Sequence, residues 1–429
     1  MRKWMQRIKD YPLGILLKDL KDFILSAPRE MMSKRRRVRS YKPEQQPVGN
    51  VLLCYSNVAF FLKAGQPIPS DHTCGWESWQ MSRTFLNLGY RVDVVSEEND
   101  RFVPTRHYSV FVGNRTNFHR IAQLLNKDCI KILHIDTCHW LFHNLAEYRR
   151  LDDLQKRRGF VLPALRTMTP NLAIEHADYG IVVGNEATIS TYRYANKPLF
   201  RVPISNEVNL PWPDEKDFDA VRKSFVWFGS HGFVHKGLDV VLEAFADMPE
   251  YQLMVCGPLK TMAEKEFVRA YQKELYATKN ISPVGWVDMT SPRFLEITQK
   301  CIGVVFPSSS EGGSGGVITC MHAGLIPIVT YEAAVDVDAS QGIMLPTCSV
   351  QDIKAAVQNL SVLPLHQLKA MARKNWELAR SQHTRTAFAT NYSNTISDIM
   401  AIESGRKNVV RAPVEGSRAS DKEIEQARI

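Results

Sequence analysis

Residues 307–324 read PSSSEGGSGGVITCMHAG. Glu311 is followed by Gly312, Gly313, Ser314, Gly315 and Gly316. The segment lies between an apolar run, 302–306, and an apolar-patterned stretch that predicts a helix. Glycine lets backbone N–H groups come close to a ligand with no Cβ in the way. A helix starting straight after such a loop points unpaired amides and a positive dipole end at whatever sits there. That predicts an anion site, for which phosphate is the usual occupant. Glu311 would repel phosphate and is better suited to accept hydrogen bonds from neighbouring hydroxyls, as on a sugar. Phosphate with sugar means an activated sugar.

A second segment, FVWFGSHGFVHKGLDVVLEAF (225–245), runs from an apolar strand through a glycine-containing loop to Lys236-Gly237 and a helix. The G-x-x-x-x-G-K-[ST] spacing of a nucleotide-binding loop is absent. A lysine at a loop–helix junction can still neutralise a diphosphate as a point charge. A third segment, LHIDTCHWLFHN (133–144), sets His134, Asp136, His139 and His143 around a strand end. Histidine spacings of five and four fit no zinc pattern, so no metal site is expected.

These segments need a frame. From about residue 49, short β-rich runs alternate with helical stretches: 51–56, 91–96, 109–114, 131–137, 179–185 and 199–204. Residues 206–219, NEVNLPWPDEKDFD, break the rhythm as a hinge would. A second series follows at 224–230, 251–257, 281–287, 301–307 and 326–331. Apolar strands alternating with helices predict an α/β chain of two doubly wound parallel-sheet, Rossmann-like domains facing across a cleft. The expected division is a basic extension (1–45), a first Rossmann-like domain (46–205), a second (206–382), a helix returning to the first domain (383–404) and a disordered tail (405–429).

The chain has 429 residues, 44% hydrophobic and 23% charged, which suits two soluble globular domains. Eight cysteines form no C-x-x-C pair and read as buried thiols of a reducing compartment, so a cytoplasmic location is expected. No apolar run is long enough to span a bilayer, and the stretch 12–17 is broken by Lys18-Asp19, so no secretory signal is expected. Residues 1–42 hold thirteen Lys/Arg against four Asp/Glu, which accounts for the whole net charge of +9. Apolar residues recur there at roughly helical spacing. Either the extension lies on an anionic membrane surface, giving peripheral contact with the inner face, or it packs on the body ahead of a solvated linker. No nucleic-acid motif accompanies the charge.

Taken together, GSHGFVHKGLDVVLEAF, VCGP, PVGWVD and PSSSEGGSGGVITCMHAGLIPIVT resemble the donor-binding domain of the GT-B fold glycosyltransferases, family 4 (group 1). The resemblance implies that Lys236 binds the donor diphosphate and Glu311 the donor-sugar hydroxyls. It assigns the amides of Gly312 to Gly316 to phosphate and sugar. It implies transfer with retention of anomeric configuration, with no metal and no cofactor beyond the nucleotide-sugar substrate. Gly75, in DHTCGWESWQMSRTFLNLGYRVDVVS (71–96), would let a loop approach the donor phosphates, and Glu77 is either acceptor-facing or a plain first-turn acid. An active-site histidine is implied near 133–144; His139 is the candidate, with His134 the alternative.

Two positions depart from the family pattern. Ser230 and His231 stand where an arginine usually provides a second phosphate ligand, and Thr319 stands where a second glutamate grips the ribose. A threonine there should weaken ribose binding by roughly tenfold. The expected activity is transfer of a sugar from a nucleoside-diphosphate donor to a hydroxyl of a glycan or glycolipid. The alternative is a catalytically degenerate scaffold or nucleotide-sugar-binding protein on the same fold. An epimerase or phosphorylase on that fold fits the glycine-loop block less well.

Overall fold

The computed structural model describes residues 38–405, apart from 64, 70 and 71. The sequence readings for the basic extension before residue 38 and for the tail after Gly405 lie outside the described residues. The first sheet contains β1 (Arg39–Tyr41), β2 (Asn50–Tyr55), β3 (Arg91–Ser96), β4 (Val110–Gly113), β5 (Ile130–Ile135), β6 (Tyr179–Val183) and β7 (Leu199–Val202). Their order is β1-β3-β2-β4-β5-β6-β7, parallel except for β1, which pairs antiparallel with β3. The extension therefore ends earlier than residue 45, because Arg39–Tyr41 covers what would be an open sheet edge at Val92–Val94.

The second sheet contains β8 (Ser224–Phe228), β9 (Gln252–Cys256), β10 (Ile281–Pro283), β11 (Gly303–Phe306), β12 (Ile326–Thr330) and β13 (Ile343–Leu345). It is parallel throughout, in the order β10-β9-β8-β11-β12-β13. Both inner runs are buried on both faces, as in Leu52–Tyr55 and Val304–Phe306, which is why they read as continuous apolar stretches rather than alternating ones. In this sheet β8 lies between β9 and β11, so chain order reverses there. The loops leaving β8 and β11 meet at the carboxyl ends of these strands, where Ser309 N–H donates to the His235 carbonyl at 3.0 Å. The first sheet reverses likewise at β2, between β3 and β4.

The helices start and stop where local chemistry dictates. Ser291, Ser349 and Thr384 accept backbone N–H bonds as N-caps, and Pro292 occupies the first turn after Ser291. The Trp140–Arg158 helix ends at Gly159, whose φ of 73° is the left-handed conformation that glycine adopts at little cost. Among the described residues no helix is long and apolar enough to cross a membrane. All eight cysteines are unpaired, six of them buried.

The connector after β7 is fastened rather than loose. Trp212 stacks on Phe218 and meets Trp376 edge-on, while Trp376 Nε1 and Arg380 both donate to the Leu210 carbonyl at 2.9 Å. The last helix, Arg385–Glu403, packs on the Cys74–Asn87 helix and β7. Phe388 stacks on Tyr392 and meets Trp76 edge-on, and Phe388, Tyr392, Ile396 and Ile399 are fully buried. Because this helix seals the first domain's core, Phe388→Ala should cost about 3–5 kcal/mol of stability. Chemical denaturation of the variant against the parent measures this; an unchanged midpoint would refute the assigned role.

Candidate functional site

Lys236 and Glu311 are 75 residues apart and meet in space. Adjacent strands β8 and β11 deliver them: each sits on the loop leaving one strand, where the two loops touch. The Lys236 ammonium donates to Glu311 Oε1, and both side chains are buried. Ser308 Oγ donates to the same Glu311 oxygen at 3.0 Å, and the ammonium lies over the Phe306 ring, 5.3 Å from its centroid. Burial alone would raise the Glu311 pKa, but Lys236, with Arg166 and His235, brings it down to about 2. The pair is ionised.

The glycines serve this packing. At Gly237, φ +71°, a Cβ would lie 2.5 Å from the Pro307 carbonyl, so glycine lets the two loops touch. At Gly312 a Cβ would lie 2.2 Å from the Asp136 carbonyl of the first domain. The glycine loop thus approaches protein backbone across the domain seam. Gly313 (φ +115°) faces Ile204 and Val183, also of the first domain. Ser314 precedes the Gly315–His322 helix and gives its hydroxyl to the Ala333 carbonyl at 2.5 Å, so it leaves the first-turn amides uncapped. Gly315 and Gly316 form that first turn.

The first domain reaches this site through one helix. From Trp140–Arg158, His143 Nδ1 meets Ser310 Oγ at 2.9 Å, beside Glu311. Glu147 Oε2 meets His235 Nδ1 at 2.9 Å, beside Lys236, and His235 Nε2 meets the Ser310 carbonyl at 2.9 Å. Both His235 nitrogens thus have an oxygen partner. Burial pushes the His143 pKa down to about 3, helped by His235 and Arg166, so this ring is neutral and donates to the Arg166 carbonyl. Further along, Arg150 and Arg157 both bond Asp239, at 2.8 and 2.5 Å. Cys138 and Thr188 donate to the Glu311 carbonyl at 3.3 and 3.1 Å. The two domains are in contact along the whole seam.

The other sequence candidates fall elsewhere. His139 is the N-cap position of the same helix; its Nε2 lies 3.0 Å from Tyr194 Oη and its ring packs on Trp140, Tyr192 and Tyr194. The histidine brought to Glu311 is His143, one turn later: His139 is the N-cap, with extended backbone (ψ 140°) outside the helix, while residues 143, 147 and 150 share one helix face. Gly75 is not a loop residue: it is buried in the first turn of the Cys74–Asn87 helix, and a Cβ there would make an ordinary 3.5 Å contact with Ile68. The loop expected before the Trp76–Leu88 helix is thus the first turn of the helix itself. His231 lies 3.5 Å from Glu264 and is half exposed; Ser230 precedes it in the loop after β8. Thr319 is buried, accepts from Asn206 Nδ2 at 3.0 Å, and donates to the Gly315 carbonyl at 2.8 Å. Its hydroxyl ties the connector to the helix.

A second polar group lies at the carboxyl ends of the first sheet. Glu77 accepts from Ser205 Oγ at 2.8 Å; burial raises its pKa to about 7, and Asp136 adds to the rise. His134, 4.0 Å from Glu77, is pushed down to about 4 by burial. Asp136 pairs with Arg115, and Glu97, raised to about 7 chiefly by burial, accepts from Asn114. Among the described residues no cluster of three or more His, Cys, Asp or Glu is arranged to hold a metal ion.

Sequence reasoning missed His235, Glu147 and Arg166. His235 sat beside Lys236 in a quoted motif, but Glu147 and Arg166 carry no local signal; only the helix face and the loop that follows it bring them in.

Residues 222–361 match the family described as glycosyl transferases group 1. The chain superposes on sucrose-phosphate synthase from Thermosynechococcus elongatus with a TM-score of 0.58 at 13% identity, covering 82% of this chain and 100% of that one. It superposes on Anabaena Alr3699/HepE, solved with UDP-glucose, with a TM-score of 0.52 at 12% identity, over 82% and 100% of the two chains. For WaaG, a glycosyltransferase of lipopolysaccharide biosynthesis, the TM-score is 0.50 at 13% identity, over 82% and 99%. No curated protein matches the sequence.

Replacing Lys236 by alanine leaves the buried Glu311 carboxylate without its ammonium and should cost about 3–5 kcal/mol. The double change Lys236→Met with Glu311→Leu should cost less, because no charge is stranded. The folded Glu311 pKa lies below its ordinary 4.5, so its contribution to stability is present above 4.5 and is lost as pH falls toward 2. Urea unfolding across that pH range checks both: equal costs for single and double variants, or the same acid slope in the double variant, would contradict the pairing.

Proposed function

We propose that this chain, a glycosyltransferase with a group 1 domain on the GT-B fold, moves a sugar from a nucleoside-diphosphate donor to a hydroxyl of a glycan or glycolipid. Transfer retains anomeric configuration and uses no metal ion. The observation that carries this reading is the meeting of Lys236 and Glu311 at the carboxyl ends of the neighbouring strands β8 and β11, next to a helix first turn at Gly315–Gly316 that Ser314 does not cap.

The chemistry follows from those groups. The donor diphosphate takes Lys236 as its cationic partner, and the first-turn amides hold the phosphate oxygens. Glu311, released from the ammonium, accepts hydrogen bonds from donor-sugar hydroxyls. As the bond between the anomeric carbon and the phosphate oxygen breaks, negative charge grows on the leaving diphosphate, where Lys236 and the amides already point. The acceptor hydroxyl attacks from the same face, and the leaving phosphate oxygen takes its proton. Neutral His143, fixed through Ser310, sets the position of the Glu311 loop. The first sheet's carboxyl ends, with Glu77, Asp136 and Glu97, face the acceptor. Closing the seam excludes water, which would otherwise hydrolyse the donor.

Purified protein offered a panel of UDP-, GDP- and ADP-sugars should bind one class and release the corresponding diphosphate. Turnover should survive a chelator, and Lys236→Ala should lower it by roughly a hundred- to a thousandfold. NMR of the product reports the anomeric configuration. Binding without turnover would favour the degenerate scaffold, to which Ser230 and Thr319 point; no donor bound at all would end the proposal.

The charge on residues 1–42 would bring the enzyme to an anionic membrane surface and to a lipid-linked acceptor. Replacing Lys34, Arg35, Arg36 and Arg37 by serine should then abolish co-sedimentation with anionic vesicles. Equal sedimentation of variant and parent would remove the membrane from this reading.

A further inference from the structure

We propose that Arg166, from the loop after the Trp140–Arg158 helix, is the second cation for the donor diphosphate, contributed by the first domain in place of the arginine that Ser230 displaces. This rests on the donor reading above.

Three observations carry it. First, the backbone of Arg166 is held at the site. Glu147 Oε1 accepts from the Leu165 and Arg166 amides at 2.8 and 3.2 Å, and His143 takes the Arg166 carbonyl. Those two side chains also grip His235 and Ser310, the neighbours of Lys236 and Glu311. One helix face therefore sets the position of Arg166 relative to both donor-binding loops.

Second, the Arg166 stem lies across the loop that follows β8. A Cβ on Gly232 (φ +92°) would fall 2.3 Å from Arg166 Cγ and 2.6 Å from Cδ, so only glycine leaves room for it. This is the loop in which Ser230 occupies the usual arginine position. Arg166 Nε is buried and has no hydrogen-bond partner among the described residues. The guanidinium lies near enough to act electrostatically on both Lys236 and Glu311.

Third, Lys236 is already paired with Glu311, and the buried Glu264 carboxylate also faces its loop, so Arg166 is the further cation acting on this site. A diphosphate carries more than one negative charge, which a single lysine shared with a carboxylate does not match. A guanidinium fork can also bond two phosphate oxygens at once, which an ammonium cannot. Supplying that group from the opposite domain makes full phosphate binding depend on the seam being closed.

The experiment is nucleotide binding by full-length parent, Arg166→Ala and Arg166→Lys. Calorimetry with UDP, GDP and ADP and with the matching nucleosides separates phosphate contacts from base and ribose contacts. The expected result for Arg166→Ala is roughly a tenfold to hundredfold loss of diphosphate affinity with nucleoside affinity unchanged. Arg166→Lys should recover part of the loss, and the thermal midpoints without nucleotide should agree. Diphosphate affinity equal to the parent's, or equal losses for nucleoside and diphosphate, would overturn the assignment while leaving the donor reading intact. A parent that binds no diphosphate would bring down both.

Discussion

A buried ammonium is costly without a polar partner, and the arrangement of this molecule's site follows from giving Lys236 the Glu311 carboxylate. Glu311 can provide it only because β8 and β11 are neighbours in a sheet whose chain order reverses between them. Gly237 lets the lysine loop lie against Pro307, and Ser308 shares the same carboxylate oxygen. Desolvating both charges is expensive, and their attraction offsets the cost only while both are present. A diphosphate that replaces the carboxylate as partner keeps the lysine satisfied; an apolar or cationic ligand would not.

The seam between domains is built from the same kind of interaction. His143, Glu147, Arg150 and Arg157 project from one face of a single helix onto Ser310, His235 and Asp239. Polar seams of this type exchange partners with ligand and water more readily than apolar ones, which suits domains that must part to admit a donor. Gly312 lies so close to the Asp136 backbone that the first domain and the glycine loop cannot both keep these positions with a sugar between them. Any molecule seated between them would need the two domains to shift apart.

The two departures from the family pattern have different structural consequences. Thr319, in place of a ribose-gripping glutamate, is occupied with Asn206 and the Gly315 carbonyl, so it now fastens the connector to the donor-side helix. Ser230 leaves a cation missing from the loop after β8. The stem of Arg166 crosses that loop over Gly232. In one case the position has taken on a structural bond; in the other a charge has come from the opposite lobe.

Much of this was legible from residue order alone. Continuous apolar strands alternating with helices can only be buried on both faces, which dictates parallel sheets. Glycine-rich loops before helices mark anion sites whatever the rest of the fold. Lys236 and Glu311 could be named because each lies in a local pattern with its own physical meaning. The choice between His139 and His143 could not be made that way: both follow the same strand, and only the start of the helix at Trp140 leaves His139 outside it with Tyr194 and places His143 against Ser310. Gly75 read as a loop glycine until the helix began one residue before it. Glu147 and Arg166 left no local trace, because a side chain that acts across a domain seam is specified by its partner's position, and that position exists only once both sheets have formed and closed on each other.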